Sequence, residues 1–174
     1  HTFCYTCDDM TGLKWTLSNA DGTFFIDQIP EGDWNLVSRK GFYQRQRSIS
    51  VAGDNVLDVP VEKTTLPGEN SGDGLDQMPN YAVLTSGPDY PEDMLAKMGL
   101  GSLTASGNLD TAQPFSFHLY NDNGSPSIGP TAHIFSDQSY MNQYHMIFFP
   151  CINSGMTAAN NIPMLQAYIS SGGK

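Results

Sequence analysis

Cys4 and Cys7 form a C-x-x-C followed directly by Asp8 and Asp9, a spacing used for dithiol redox exchange and for zinc ligation. A redox dithiol sits between a strand and a helix, and the segment HTFCYTCDDMTG offers neither. Zinc requires four ligands, and the only other cysteine is Cys151, so histidines would have to complete the set. The reading that remains is a disulfide framework with Cys4, Cys7 and Cys151 as candidates. Three cysteines cannot all pair within one chain, so the pairing extends partly outside it. Such a framework implies an oxidising compartment: extracellular, cell-surface or periplasmic.

Other groups with chemical potential are isolated. A free His1 would offer an amine and an imidazole, and with His118, His133 or His145 it would form a copper brace. Asn19, Asp21 and Gly22 suggest a calcium loop, but Leu17 stands where that loop needs an oxygen ligand. All three arginines, Arg39, Arg45 and Arg47, fall with Lys40 in one window, and strand alternation puts Arg45 and Arg47 on one face. They are a candidate docking patch for an acidic partner. No nucleophile stands with a base and an orienting acid, so the sequence assigns no catalytic residue, no metal and no cofactor.

The elements that would carry these residues are strands first. From Lys14 to Lys63, runs rich in Trp, Phe, Ile and Val are punctuated by Asn-Ala-Asp-Gly, Pro-Glu-Gly-Asp, Lys-Gly and Ala-Gly-Asp-Asn, the pattern of antiparallel strands with tight turns. Tyr43 to Val51 reads as one long strand. Trp15, Phe24, Ile26, Trp34 and Leu36 are the predicted core of a β-sandwich in residues 1–63. Residues 64–79, rich in Gly, Pro, Asp and Asn, read as a linker. In residues 80–174 the order is strand, helix, strand, helix, strand, helix, which predicts a parallel or mostly parallel α/β domain. Its strands lie at Asn80–Thr85, Phe115–Tyr120 and Tyr144–Pro150, and Val83, Met146, Ile147 and Phe148 are its predicted core. A helix over 92–98 would bury Met94, Leu95 and Met98, a short one would be capped by Ser136, and a last one over 163–171, capped by Asn161, would face Ile162, Leu165 and Ile169 to the sheet. In a parallel unit each helix returns the chain to a neighbouring strand. The expectation is therefore that Lys174 is not a self-sufficient end, and that further chain or a neighbouring copy covers the domain.

DGTFFIDQIPEGDWNLVSRKGF followed by SISVAGDNVLDVPVEK resembles the carboxypeptidase-regulatory-like family of transthyretin-like β-sandwiches. The family's opening G-x-V-x-D strand has no counterpart before Cys4. YHMIFFPC, with a helix ending AYISSGGK, resembles part of a glutamine-amidotransferase-like or flavodoxin-like domain, as in surface proteins of myxobacterial type. Amidotransferase chemistry needs a G-x-C-x-G turn, and Phe149-Pro150-Cys151-Ile152-Asn153 lacks both glycines, so that catalysis is not carried over. The first resemblance implies a non-catalytic module.

Bulk properties agree with that class. The 174 residues are 39% hydrophobic and carry a net charge of -10, which suits a folded protein and repels nucleic acid and anionic lipid. No apolar run is long enough to span a bilayer. The sequence thus predicts a two-domain α+β chain, an antiparallel sandwich followed by an incomplete parallel α/β domain. Its predicted role is that of an extracellular or cell-surface structural or protein-binding module, with a protein partner or a neighbouring copy. An intact or degenerate amidotransferase-like enzyme and the copper site are the alternatives.

Overall fold

The computed structural model describes residues 11–53, 56–151 and 161–174. The described residues form a mixed α/β structure with a three-stranded antiparallel sheet, a four-stranded mixed sheet and three α-helices.

The first sheet is built on a hairpin. Strands β1 (Gly32–Lys40) and β2 (Tyr43–Val51) pair over their whole length, from Gly32 opposite Val51 to Lys40 opposite Tyr43. Gly41 turns the chain between them with φ 59, a conformation that glycine adopts at no steric cost. β3 (Asp76–Gln77) joins the other side of β2, with Asp76 opposite Arg45. The stretch read as a linker therefore supplies a strand. A local reading of its Gly-Asp turn chemistry could not see the pairing, because the partner strand lies about thirty residues upstream.

No sandwich closes among the described residues. Residues 13–31 contribute no strand, and their apolar side chains face water: Trp15 is 55% exposed and Leu17 79%. Phe24 and Trp34 are exposed as well, while Ile26 and Leu36 are half-buried. The core predicted from these five residues is not formed, because period-two alternation identifies a face without supplying the layer that covers it. Trp34→Ala should accordingly cost less than about 1 kcal/mol, against about 3 to 5 for a buried aromatic, and urea unfolding would measure it.

The packed core begins at Met78. β4 (Tyr81–Leu84) is buried at all four positions and lies at the centre of the second sheet. β5 (His118–Tyr120) and β7 (Met146–Phe148) flank it, both parallel to it, while β6 (Pro126–Ile128) runs antiparallel on the outside of β5. Both faces of β4 are covered, as expected for an unbroken apolar run. On one face Tyr81 and Val83 pack with Leu95, Leu100, Phe117 and Leu119; on the other Ala82 and Leu84 pack with Tyr120, Ile134, Ile147 and Tyr168. The strand residues predicted as one core divide by alternation: Val83, Met146 and Phe148 on the first face, Ile147 on the second.

The helices close the two faces. α1 (Pro91–Leu95) runs on through wider turns from Ala96 to Leu100. Leu95, Ala96 and Leu100 point inward, whereas Met94 and Met98, predicted core residues, are exposed. Met94 lies in the regular turn of α1, so the predicted face is offset from the buried one already there, and at Gly99, with φ 93, the backbone leaves helical geometry. α2 (Gln138–Met141) is capped by Asp137, whose carboxylate accepts from the Tyr140 amide, rather than by Ser136. α3 (Asn161–Ser170) inserts Tyr168, while the predicted contacts Ile162 and Ile169 stay exposed and Leu165 is half-buried. Gly172 donates to the Ile169 carbonyl and Gly173 to that of Tyr168, which ends the helix in a Schellman motif. Lys174 then reaches the outer edge of β7: its amide donates to the His145 carbonyl, and its carbonyl accepts from the Ile147 amide at 2.7 Å. That alternation is a parallel ladder contact, so the chain does return to the sheet after the last helix.

Candidate functional site

β5 and β7 lie on opposite sides of β4, so the connections leaving β4 and β7 diverge at their carboxyl ends. In open α/β sheets this is where ligands bind. Two side chains meet there. The loop after β4 brings Asp89, and the loop after β7 brings Cys151, whose backbone amide donates to the Asp89 carboxylate at 2.6 Å. Cys151 is a free, exposed thiol. A hydrogen bond to Asp89 and that group's negative charge push its pKa up, with a smaller contribution from burial. A thiol that acts as a nucleophile needs the reverse environment. Alkylation of Cys151 should therefore be slow at neutral pH and severalfold faster in Asp89→Asn, which mass spectrometry of the labelled peptide would read.

A second constellation lies inside the sheet. His118 Nδ1 shares a 2.8 Å hydrogen bond with the Tyr144 hydroxyl, which shares one of 2.7 Å with Tyr120. Tyr120 donates to Tyr140 at a longer 3.4 Å, and Tyr140 accepts from the Ala132 amide. Burial raises the pKa of Tyr120 and Tyr144 and lowers that of His118, so the neutral form of each is favoured. The phenols satisfy one another's polar atoms, and at the outer end Tyr140 goes the other way from its neighbours: against burial, the hydrogen bonds it accepts from Tyr120 and the Ala132 amide hold its pKa down. His145 is likewise engaged: its Nδ1 accepts from the Asn80 amide and its ring lies 4.2 Å from that of Phe42. The Phe42 contact and a 2.7 Å hydrogen bond between the Tyr43 and Tyr81 hydroxyls join the two sheets. Beside His118 lies a surface depression of about 320 Å³, lined among others by Asn70, Asn80, Phe115 and Gln143.

The basic window does not act as one patch. Arg45 donates twice to Asp76, at 3.0 and 2.9 Å, and Arg47 donates to the same carboxylate at 2.7 Å. The shared face of Arg45 and Arg47 was legible from alternation; the carboxylate that occupies it was not. Arg39 sits opposite Gln44 and points to the other face, donating to the Gly41 carbonyl, while Lys40 lies at the end of β1. Two of the four cations are thus committed to internal pairing.

His1, Cys4 and Cys7 lie outside the described residues, and with them the copper, redox and disulfide readings. Among the described residues no three His, Cys, Asp or Glu side chains gather as metal ligands, and no helix is long and apolar enough to cross a membrane. Asn19, Asp21 and Thr23 bond to one another in a closed turn. Comparison with protein-family models, curated proteins and solved structures found no match.

Proposed function

We propose that this chain is a non-catalytic extracellular or cell-surface module that acts by binding protein. The observation that carries the reading is the contrast between two regions. Among the described residues the buried apolar core lies entirely from Met78 onward, on the two faces of a sheet, whereas between Leu13 and Val61 no large apolar side chain is fully buried and Trp15, Leu17, Phe25, Trp34 and Val37 are open to water. Large apolar side chains gathered in one region of the chain and left open to water support an interaction site there. Location outside the cell is supported by the reading of Cys4 and Cys7 and by the resemblance to carboxypeptidase-regulatory-like modules. On this reading the N-terminal region is a sandwich-type module whose second layer is supplied on association, followed by an α/β domain. Asp89 beside Cys151 argues against thiol catalysis and leaves a degenerate amidotransferase-like domain as the second reading.

The chain's two tryptophans, Trp15 and Trp34, both lie on this surface, so they report on it directly. In dilute protein the indole emission should be red-shifted and readily quenched by acrylamide, and it should shift to the blue when a partner binds. Indoles shielded from quencher in the dilute monomer would sink the reading.

A further inference from the structure

The N-terminal region contains a hairpin turn without a hairpin. Gly22 donates to the Asn19 carbonyl at 3.0 Å, Asn19 donates to the Thr23 carbonyl at 2.8 Å, and the Asp21 carboxylate accepts from both the amide and the hydroxyl of Thr23. These bonds close a tight reversal of the type that joins two antiparallel strands. The arms on either side, Lys14–Ser18 and Phe24–Gln28, have the strand alternation that goes with it, with Trp15 and Leu17 on one face and Phe24 and Ile26 on one face. Among the described residues neither arm carries a ladder.

Four residues further on stands a strand edge that lacks a neighbour. β1 is the terminal strand of its sheet, nine residues long, and among the described residues no strand pairs with its outer side. A long edge bearing exposed Trp34 and Val37 is a template for another strand. The arm that precedes it is the natural occupant, but within one chain it does not pair there, and the connection is not an extended or hairpin link. Gln28 takes a positive φ of 54, Gly32 has φ 133, and Pro30 between them has no amide to donate to a ladder.

We propose that the arms of this hairpin pair with the outer edge of β1 in a second copy of the chain, and that the exchange is reciprocal, giving a closed two-fold dimer. This rests on the binding-module reading and names its partner. The same two parts, an unpaired strand and an unpaired edge, occur once in each copy, so reciprocal exchange satisfies both in both copies. Exchange of identical elements across a short connection is a low-cost route to dimers. The ladder bonds would supply affinity, and the alternate apolar side chains would set register and specificity. Trp15, Leu17, Phe24 and Trp34 would then lie between layers instead of in water.

The test uses the whole chain. Sedimentation velocity over a concentration series should show a transition from the 19.0 kDa monomer to a species of twice that mass, with the tryptophan emission shifting to the blue in step. Leu17→Asp and Phe24→Asp change residues that are 79% and 37% exposed in the single chain, so they leave the fold intact and should abolish the dimer. Met98→Asp, likewise exposed but on the other sheet's cover, should leave the dimer unchanged. Amine cross-linking of mixed light and heavy-isotope copies should give a Lys14–Lys40 link of mixed isotope composition. A monomer at every concentration, a dimer indifferent to both arm substitutions, a link confined to one copy, or open-ended assemblies would each overturn the exchange. A monomer whose indoles stay open to quencher would do so while leaving the binding-module reading in place; shielded indoles in the monomer would remove both.

Discussion

Gly173→Ala should destabilise the fold by about 3 kcal/mol, at the upper end of overpacking effects. A Cβ at residue 173 would stand 2.3 to 2.4 Å from three ring carbons of Tyr168, closer than any real contact. The ring cannot yield, because Tyr168 is 2% exposed in the second core and its hydroxyl donates to the Tyr144 carbonyl at 3.1 Å. Gly172→Ala makes the sharper comparison. Gly172 has φ 96, a left-handed conformation that an L side chain adopts at a cost of about 1 kcal/mol, and that backbone cost is what its replacement should show. Equilibrium unfolding of the two variants should therefore rank 173 well above 172. In a Tyr168→Ala background most of the penalty at 173 should vanish, since the two residues act through one contact. Equal effects at 172 and 173 would mean that helix termination, not the ring, dictates the glycine.

The second large effect is at Asp76. Its carboxylate takes three N–H bonds from Arg45 and Arg47, and the two guanidinium groups hold its pKa down to about 2 from an ordinary 3.8. The difference corresponds to about 2 kcal/mol. This is below the roughly 3 to 5 kcal/mol for breaking a fully buried pair, since the cover is the two guanidinium groups themselves and Arg47 keeps 30% of its side chain in solvent. The folded pKa is depressed, so the stabilisation is present in full above 3.8 and is lost as the pH falls through about 2. Asp76→Asn should be less stable than the parent by about 2 kcal/mol at neutral pH, and the two should converge in acid. Urea midpoints measured over that range check both the size and the sign.

What could be read from the sequence was whatever is punctuated locally. β2 from Tyr43 to Val51, the buried β4 at Tyr81–Leu84, and the last helix with its glycine stop all follow from apolar runs bounded by turn or cap residues, although Asn161, read as the cap, is already the first residue of α3. The elements that were misread depend on distant partners. Asp76 lies in a Gly-rich stretch and acquires its meaning only from arginines 29 and 31 positions away, and Asp89 meets Cys151 across 62 residues. The arms around Asn19–Thr23 have a strand pattern and no strand beside them, because periodicity records which face wants cover and not who provides it. At the carboxyl end of the second sheet, Cys151 was visible as a residue, but the acid that opposes its ionisation was not.

The return of Lys174 to β7 makes one amide proton a clock. Alternate amides of β7 face β4, as Met146 does toward the Asn80 carbonyl, and their exchange with solvent deuterium requires the centre of the sheet to open. The Ile147 amide faces the other way and is held by the carbonyl of Lys174 alone, so it exchanges whenever residues 161–174 swing off, with the rest of the sheet intact. Adjacent residues of one strand therefore keep two different times, and their ratio measures how often the last helix leaves a sheet that stays folded.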